Sequence, residues 1–122
     1  MRAAIREFFS PDVSGLEGWI PPDPTCFGIL LQVFIGPLGG QGYESFDFVV
    51  CTPEWLRRKY GDDGVILCRH YILVFEFNLK RIAARIESLV ASVEGGDWNE
   101  IASKLARYGH WEFEDYTEAP SE

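Results

Sequence analysis

The sequence predicts an α+β fold: a mostly antiparallel sheet of four to five strands, covered on one face by two C-terminal helices, plus one short helix. Three observations predict it. Two apolar runs, Phe27–Ile35 and Tyr43–Cys51, flank a glycine-rich break. Phe27, Ile29, Leu31, Val33 and Ile35 alternate on one face of the first, and Phe46, Phe48 and Val50 on one face of the second. Period two with β-branched and aromatic residues is a strand signature. The break at Gly36-Pro37-Leu38-Gly39-Gly40-Gln41-Gly42 lets the chain reverse, because glycine takes positive φ without a steric penalty. Further on, Leu79, Ile82, Ala83, Ile86, Leu89, Val90 and Val93 recur at helical spacing.

The remaining elements follow in order. Ala3 to Phe9 reads as a first, half-exposed edge strand, with Ile5, Glu7 and Phe9 alternating. Ser10-Pro11-Asp12 stops it. Val13 to Thr25 holds three prolines and two glycines and is a long loop, with Trp19 and Ile20 expected to pin it. Thr52-Pro53-Glu54 starts a short helix: a cap, a first-turn proline and an acid at the positive end of the dipole. Arg57, Arg58 and Lys59 suit its last turn, and Gly61 ends it. Val65 to Phe77 is apolar and β-rich, so a strand buried on both faces is expected, bent near Arg69–His70; a helix is the weaker alternative. Asn78 caps the helix carrying the stripe, which Gly95-Gly96 ends. Asp97, with Glu100 three residues later, caps a last helix that turns Trp98, Ile101, Leu105 and Tyr108 inward. His110 to Tyr116 forms a short edge strand or an ordered tail. Residues 1–116 are expected to form one domain and residues 117–122 a flexible acidic tail.

Length and composition bound the function. A chain of 122 residues buries about two thirds of its unfolded surface and needs no disulfide or metal for its core. Its net charge of −8 disfavours nucleic acid and anionic membrane and favours a basic partner, although solubility alone accounts for such a charge. Cys26, Cys51 and Cys68 are odd in number, widely spaced and without a C-x-x-C pair. That points to reduced, metal-free thiols in a reducing compartment. With no signal-like or membrane-length apolar run, a cytoplasmic location is expected.

No nucleophile elbow, phosphate loop or zinc pattern occurs. His70 and His110 are too few for a metal site, and His70 reads as a structural histidine. No cofactor is expected. Glu112 and Glu114 could serve as an acid–base pair, but neighbouring acids are more often solvated. The one local anomaly runs from His110 to Glu122. It carries Glu112, Glu114, Asp115, Glu118 and Glu122 with no lysine or arginine, interleaved with Trp111, Phe113 and Tyr116. Either it is an amphipathic strand with a solubilising tail, or aromatic anchors in an acidic field bind a basic partner.

These residues also carry a resemblance. Glu44-Ser45-Phe46-Asp47-Phe48, Cys51-Thr52-Pro53-Glu54-Trp55-Leu56, Arg69-His70, Asp97-Trp98 and Gly109-His110-Trp111-Glu112-Phe113-Glu114-Asp115-Tyr116 resemble immunity protein family eight of bacterial polymorphic toxin systems. The likeness covers about Ile5 to Tyr116. It implies an α+β protein, encoded beside a toxin, that binds the toxin's C-terminal domain and neutralises it by occlusion without catalysis. It implies no residue roles. The residues chosen as toxin-binding are therefore Trp111, Glu112, Phe113, Glu114 and Asp115, with Asp62 and Asp63 as a second acidic site. The alternatives are a self-associating structural or binding module, or a small enzyme using a histidine and a carboxylate.

Overall fold

In a computed structural model, residues 1–115 are described. The elements are β1 (Ala3–Phe9), β2 (Gly28–Pro37), β3 (Glu44–Cys51), α1 (Pro53–Tyr60), β4 (Tyr71–Leu73), α2 (Leu79–Ser92), α3 (Trp98–Leu105) and β5 (His110–Trp111). Tyr116 and the expected tail lie outside the described residues.

The hairpin is as the alternation predicts. Ile29 pairs with Val50, Leu31 with Phe48 and Val33 with Phe46, all antiparallel and all buried. The α2 residues Ile82, Ile86 and Val90 and the α3 residues Ile101, Ala102 and Leu105 close over this face as one core. Each such aliphatic side chain contributes about 1.5–3 kcal/mol when fully buried.

The order across the sheet is β1-β2-β3-β4, and β5 also pairs with β3. The free edge of β3 is shared. β4 runs parallel to Val49–Cys51, and β5 runs antiparallel to Phe46 and Asp47. The sheet is therefore five-stranded and mostly antiparallel.

Three expectations need correction. In β1 the strict alternation fails, because the register shifts between Ile5 and Glu7. This bulge sets Phe8 opposite Val33 and leaves Phe9 outward, 44% exposed. The extra residue, Arg6, donates to the carbonyls of Pro37 (2.7 Å) and Gly40 (3.0 Å), tying the edge strand to the hairpin loop. In the long loop, Trp19 does pack edge-on against Phe27 and Phe77, but Ile20 is exposed.

The largest correction concerns Val65 to Phe77. Only Tyr71–Leu73 is strand, and Val65, Leu67 and Phe75 are 77%, 90% and 82% exposed. Cys68 is exposed too, and both it and His70 precede the strand. The physical reason is space along β3. With β5 holding Phe46 and Asp47, only Val49–Cys51 remains for β4. The chain turns away at His70, whose φ of 69° lies in the left-handed region.

The caps form as expected. The Thr52 hydroxyl accepts from the Trp55 N–H and, 25 residues back, from the Phe27 N–H. Asn78 and Asp97 accept from the N–H groups of Arg81 and Glu100. Two further details differ. α2 ends before the glycines, with Val93 already extended, and Tyr108 is half exposed rather than inward.

Candidate functional site

The site grows from the seating of β5. Gly109 is buried against Phe46 and Phe48, so close that a Cβ there would lie 2.7 Å from the Phe48 ring. That approach lets the next two residues join β3. Glu112 extends the pairing by one position. Its N–H donates to the Ser45 carbonyl (3.1 Å), and its carboxylate accepts from the Ser45 N–H (2.8 Å). A turn follows, closed by the Glu114 N–H on the Trp111 carbonyl (2.9 Å), with Asp115 at φ 60°.

Trp111 falls on the core side of the sheet. It stacks on Phe46 (centroids 6.3 Å, planes 8° apart) and meets Phe113 edge-on at 6.0 Å. Beside it stands Glu44. The alternation that buries Phe46, Phe48 and Val50 also points Glu44 to the core side, at the open end of the strand. There its Oε1 accepts from two indoles, Trp98 Nε1 at 2.6 Å and Trp111 Nε1 at 3.0 Å. Glu44, Trp98, Asn99, Trp111 and Phe113 surround an open cavity of about 440 Å³.

Glu114 points the other way. Its side chain is only 13% exposed and forms a two-pronged ion pair with Arg69, which also donates to the Ala106 carbonyl at 2.8 Å. His70 and His110 each approach the Glu114 carboxylate to 3.8 Å, and their rings meet edge-on at 5.3 Å. The hydrogen bonds from Arg69 hold the Glu114 carboxyl below its usual range. Burial, and then the Arg69 charge, hold His70 below its ordinary value. The two histidines and an acid do come together, yet the acid is engaged by a guanidinium. That is the geometry of a structural clasp joining the His70 turn to β5.

Compared with known protein families, the chain matches Immunity protein 8 over residues 3–116. The chain belongs to the Immunity protein 8 family. No curated protein and no solved structure matches it.

In this Immunity protein 8 member, the matched span includes every described element. Of the sequence-chosen residues, the fold gathers Trp111, Glu112, Phe113, Glu114 and Asp115 around β5 and its turn, with Glu112, Phe113 and Asp115 exposed. Glu114 differs from an outward-facing acid because the clasp holds it. Asp62 and Asp63 are exposed on a turn after α1, which leaves β3 at Cys51. They stand apart from β5, which pairs with β3 at Phe46 and Asp47. Sequence reasoning did not single out Glu44, which the fold places at the centre of this cavity. The available signal was a charged residue in phase with the apolar series Phe46, Phe48 and Val50.

Among the described residues, no group of three or more histidine, cysteine or acidic side chains is arranged to hold a metal. Also among them, no helix is long and apolar enough to cross a membrane. The three cysteines are free thiols, and burial pushes Cys51 up to about 11.

Proposed function

We propose that this Immunity protein 8 member neutralises a cognate toxin domain in the cytoplasm by binding and covering it, as a non-catalytic inhibitor without a cofactor. The observation that carries this reading is the family match across residues 3–116. The proposed contact surface is β5 and its turn, where Glu112, Phe113 and Asp115 are exposed beside Trp111. A net charge of −8 favours a basic toxin domain and fast electrostatically steered encounter. Asp62 and Asp63 are a second acidic contact in this reading. The test is co-expression with the protein encoded by the neighbouring gene, followed by co-purification. Rescue of growth together with a stable complex is the expected result. Rescue without a complex, or neither, overturns inhibition by occlusion.

One observation favours a second reading, self-association. Val65, Leu67 and Phe75, which flank the short β4 in sequence, are exposed. Exposed apolar side chains mark a contact surface where they form one patch. Mass in solution at increasing concentration tests it, and a constant monomer mass rejects it.

A further inference from the structure

The geometry points to the Glu44 cavity as a cage for a cationic side chain, an arginine or lysine that the toxin domain inserts beside the exposed turn of β5. This rests on the proposed function, and it adds a specific anchor with a specific chemistry.

The argument starts from the carboxylate. Both indole N–H groups donate to one oxygen of Glu44, Oε1. They fix the group in place, while Oε2 accepts from no side chain or backbone group among the described residues. A fixed carboxylate with one open oxygen is a preorganised acceptor for a charged donor. The walls are aromatic, formed by Trp98, Trp111 and Phe113. Aromatic rings attract a cation lying within about 6 Å of a ring face, and lose no hydrogen bond in doing so.

The same walls exclude other classes. An anion would meet the Glu44 charge. A neutral apolar group would strip water from Oε2 and give it no partner, which is unfavourable. A cation satisfies both the carboxylate and the rings, and a charge-assisted hydrogen bond is stronger than one from a neutral donor. Among the described residues, no lysine or arginine lines the cavity. Elsewhere the chain does use this chemistry internally, with the Lys59 ammonium 4.6 Å from the Trp55 ring centre. Position selects the source of the cation. The cavity opens between α3 and the β5 turn, and Phe113, 39% exposed, stands in both the wall and the proposed contact surface.

The test uses the whole protein labelled with ¹⁵N. The probes are ethylguanidinium chloride and butylammonium chloride, the head groups of arginine and lysine, with sodium chloride at matched ionic strength as control. The Trp98 and Trp111 indole N–H resonances are expected to shift saturably with at least one probe and not with sodium chloride. Comparing the probes tells arginine from lysine. Glu44→Gln keeps an oxygen for the two indoles and removes the charge, so it is expected to weaken probe binding about tenfold or more. If that variant does not fold, Phe113→Ala, at an exposed ring, is expected to weaken it in its place. An absence of saturable shifts in the natural protein overturns the cage. So does equal affinity in Glu44→Gln.

The neighbour-encoded domain separates this inference from the reading beneath it. If the domain binds the natural protein and Glu44→Gln equally, the cage is not the anchor and toxin binding stands. If the probes bind but the domain does not, the cage stands and the toxin reading fails.

Discussion

Gly109→Ala tests how the site is coupled to the core. Gly109 is buried, and its backbone does not require positive φ, so an added methyl acts only through space. The new Cβ would lie 2.7 and 2.8 Å from two atoms of the Phe48 ring and 3.2 Å from the Phe46 Cβ. Ordinary carbon contacts lie at about 3.5–4.0 Å, so the methyl intrudes by roughly 1 Å. Phe48 is 5% exposed and Phe46 fully buried, so neither ring has room to swing aside. Overpacking of this kind costs about 1–3 kcal/mol. The strain falls between the core and β5, so part of it is expected to appear as loosening of His110 and Trp111 from β3. Urea denaturation reads the global loss, and hydrogen exchange at the Glu112 N–H reads the local one. Shortening the ring, with Phe48→Leu in the Gly109→Ala background, is expected to recover part of the loss relative to the sum of the single changes. A destabilisation below about 0.5 kcal/mol with unchanged exchange would refute the close approach and the coupling.

Three further outcomes are expected. Leu31→Ala and Ile86→Ala, at two buried members of the same core, should each lower stability by about 2–5 kcal/mol in chemical denaturation; losses under about 1 kcal/mol at both would mean the core is misassigned. The Glu114 carboxyl is depressed by Arg69, so its folded-state contribution is present above its ordinary value of 4.5 and is lost as pH falls below it. Stability measured against pH should therefore show a gap between the natural protein and Glu114→Gln that is present at neutrality and closes under acid; a gap independent of pH contradicts the ion pair. Asp115→Lys is expected to slow association with a basic toxin domain, and the difference should shrink with added salt, because screening acts over roughly 8–10 Å. If stopped-flow mixing at low salt shows no change for Asp115→Lys but slowing for Asp62→Lys with Asp63→Lys, the contact surface moves to the turn after α1.

What the sequence made legible was governed by local periodicity. The hairpin, the α2 stripe and the three caps depend on residues a few positions apart, and each formed where expected. The misread parts depend on distant partners. Val65 to Phe77 has the composition of a buried strand, but whether it becomes one depends on how much of β3 is free. That length is set by β5, about forty residues later in the chain. The bulge in β1 is invisible without its partner, since the alternation of Ile5, Glu7 and Phe9 is intact in the letters. The site was half legible. Its aromatic and acidic character could be read, whereas the inward turn of Glu114 needed Arg69, and the role of Glu44 needed indoles 54 and 67 positions away.

The late pairing of β5 matters while the protein is being made. Ser45 and Glu112 are 67 positions apart. At a synthesis rate of roughly 5–20 residues per second, the ribosome produces the second about 3–13 s after the first. During that interval the hairpin has emerged, but the edge of β3 at Phe46 and Asp47 has no partner. An open edge beside a large apolar residue invites pairing with a second nascent chain. Two residues of β5, assisted by the Glu112 side chain, then close it. A transcript cut short before His110 yields a polypeptide with its helices and an uncovered edge, prone to cluster with its neighbours on the polysome.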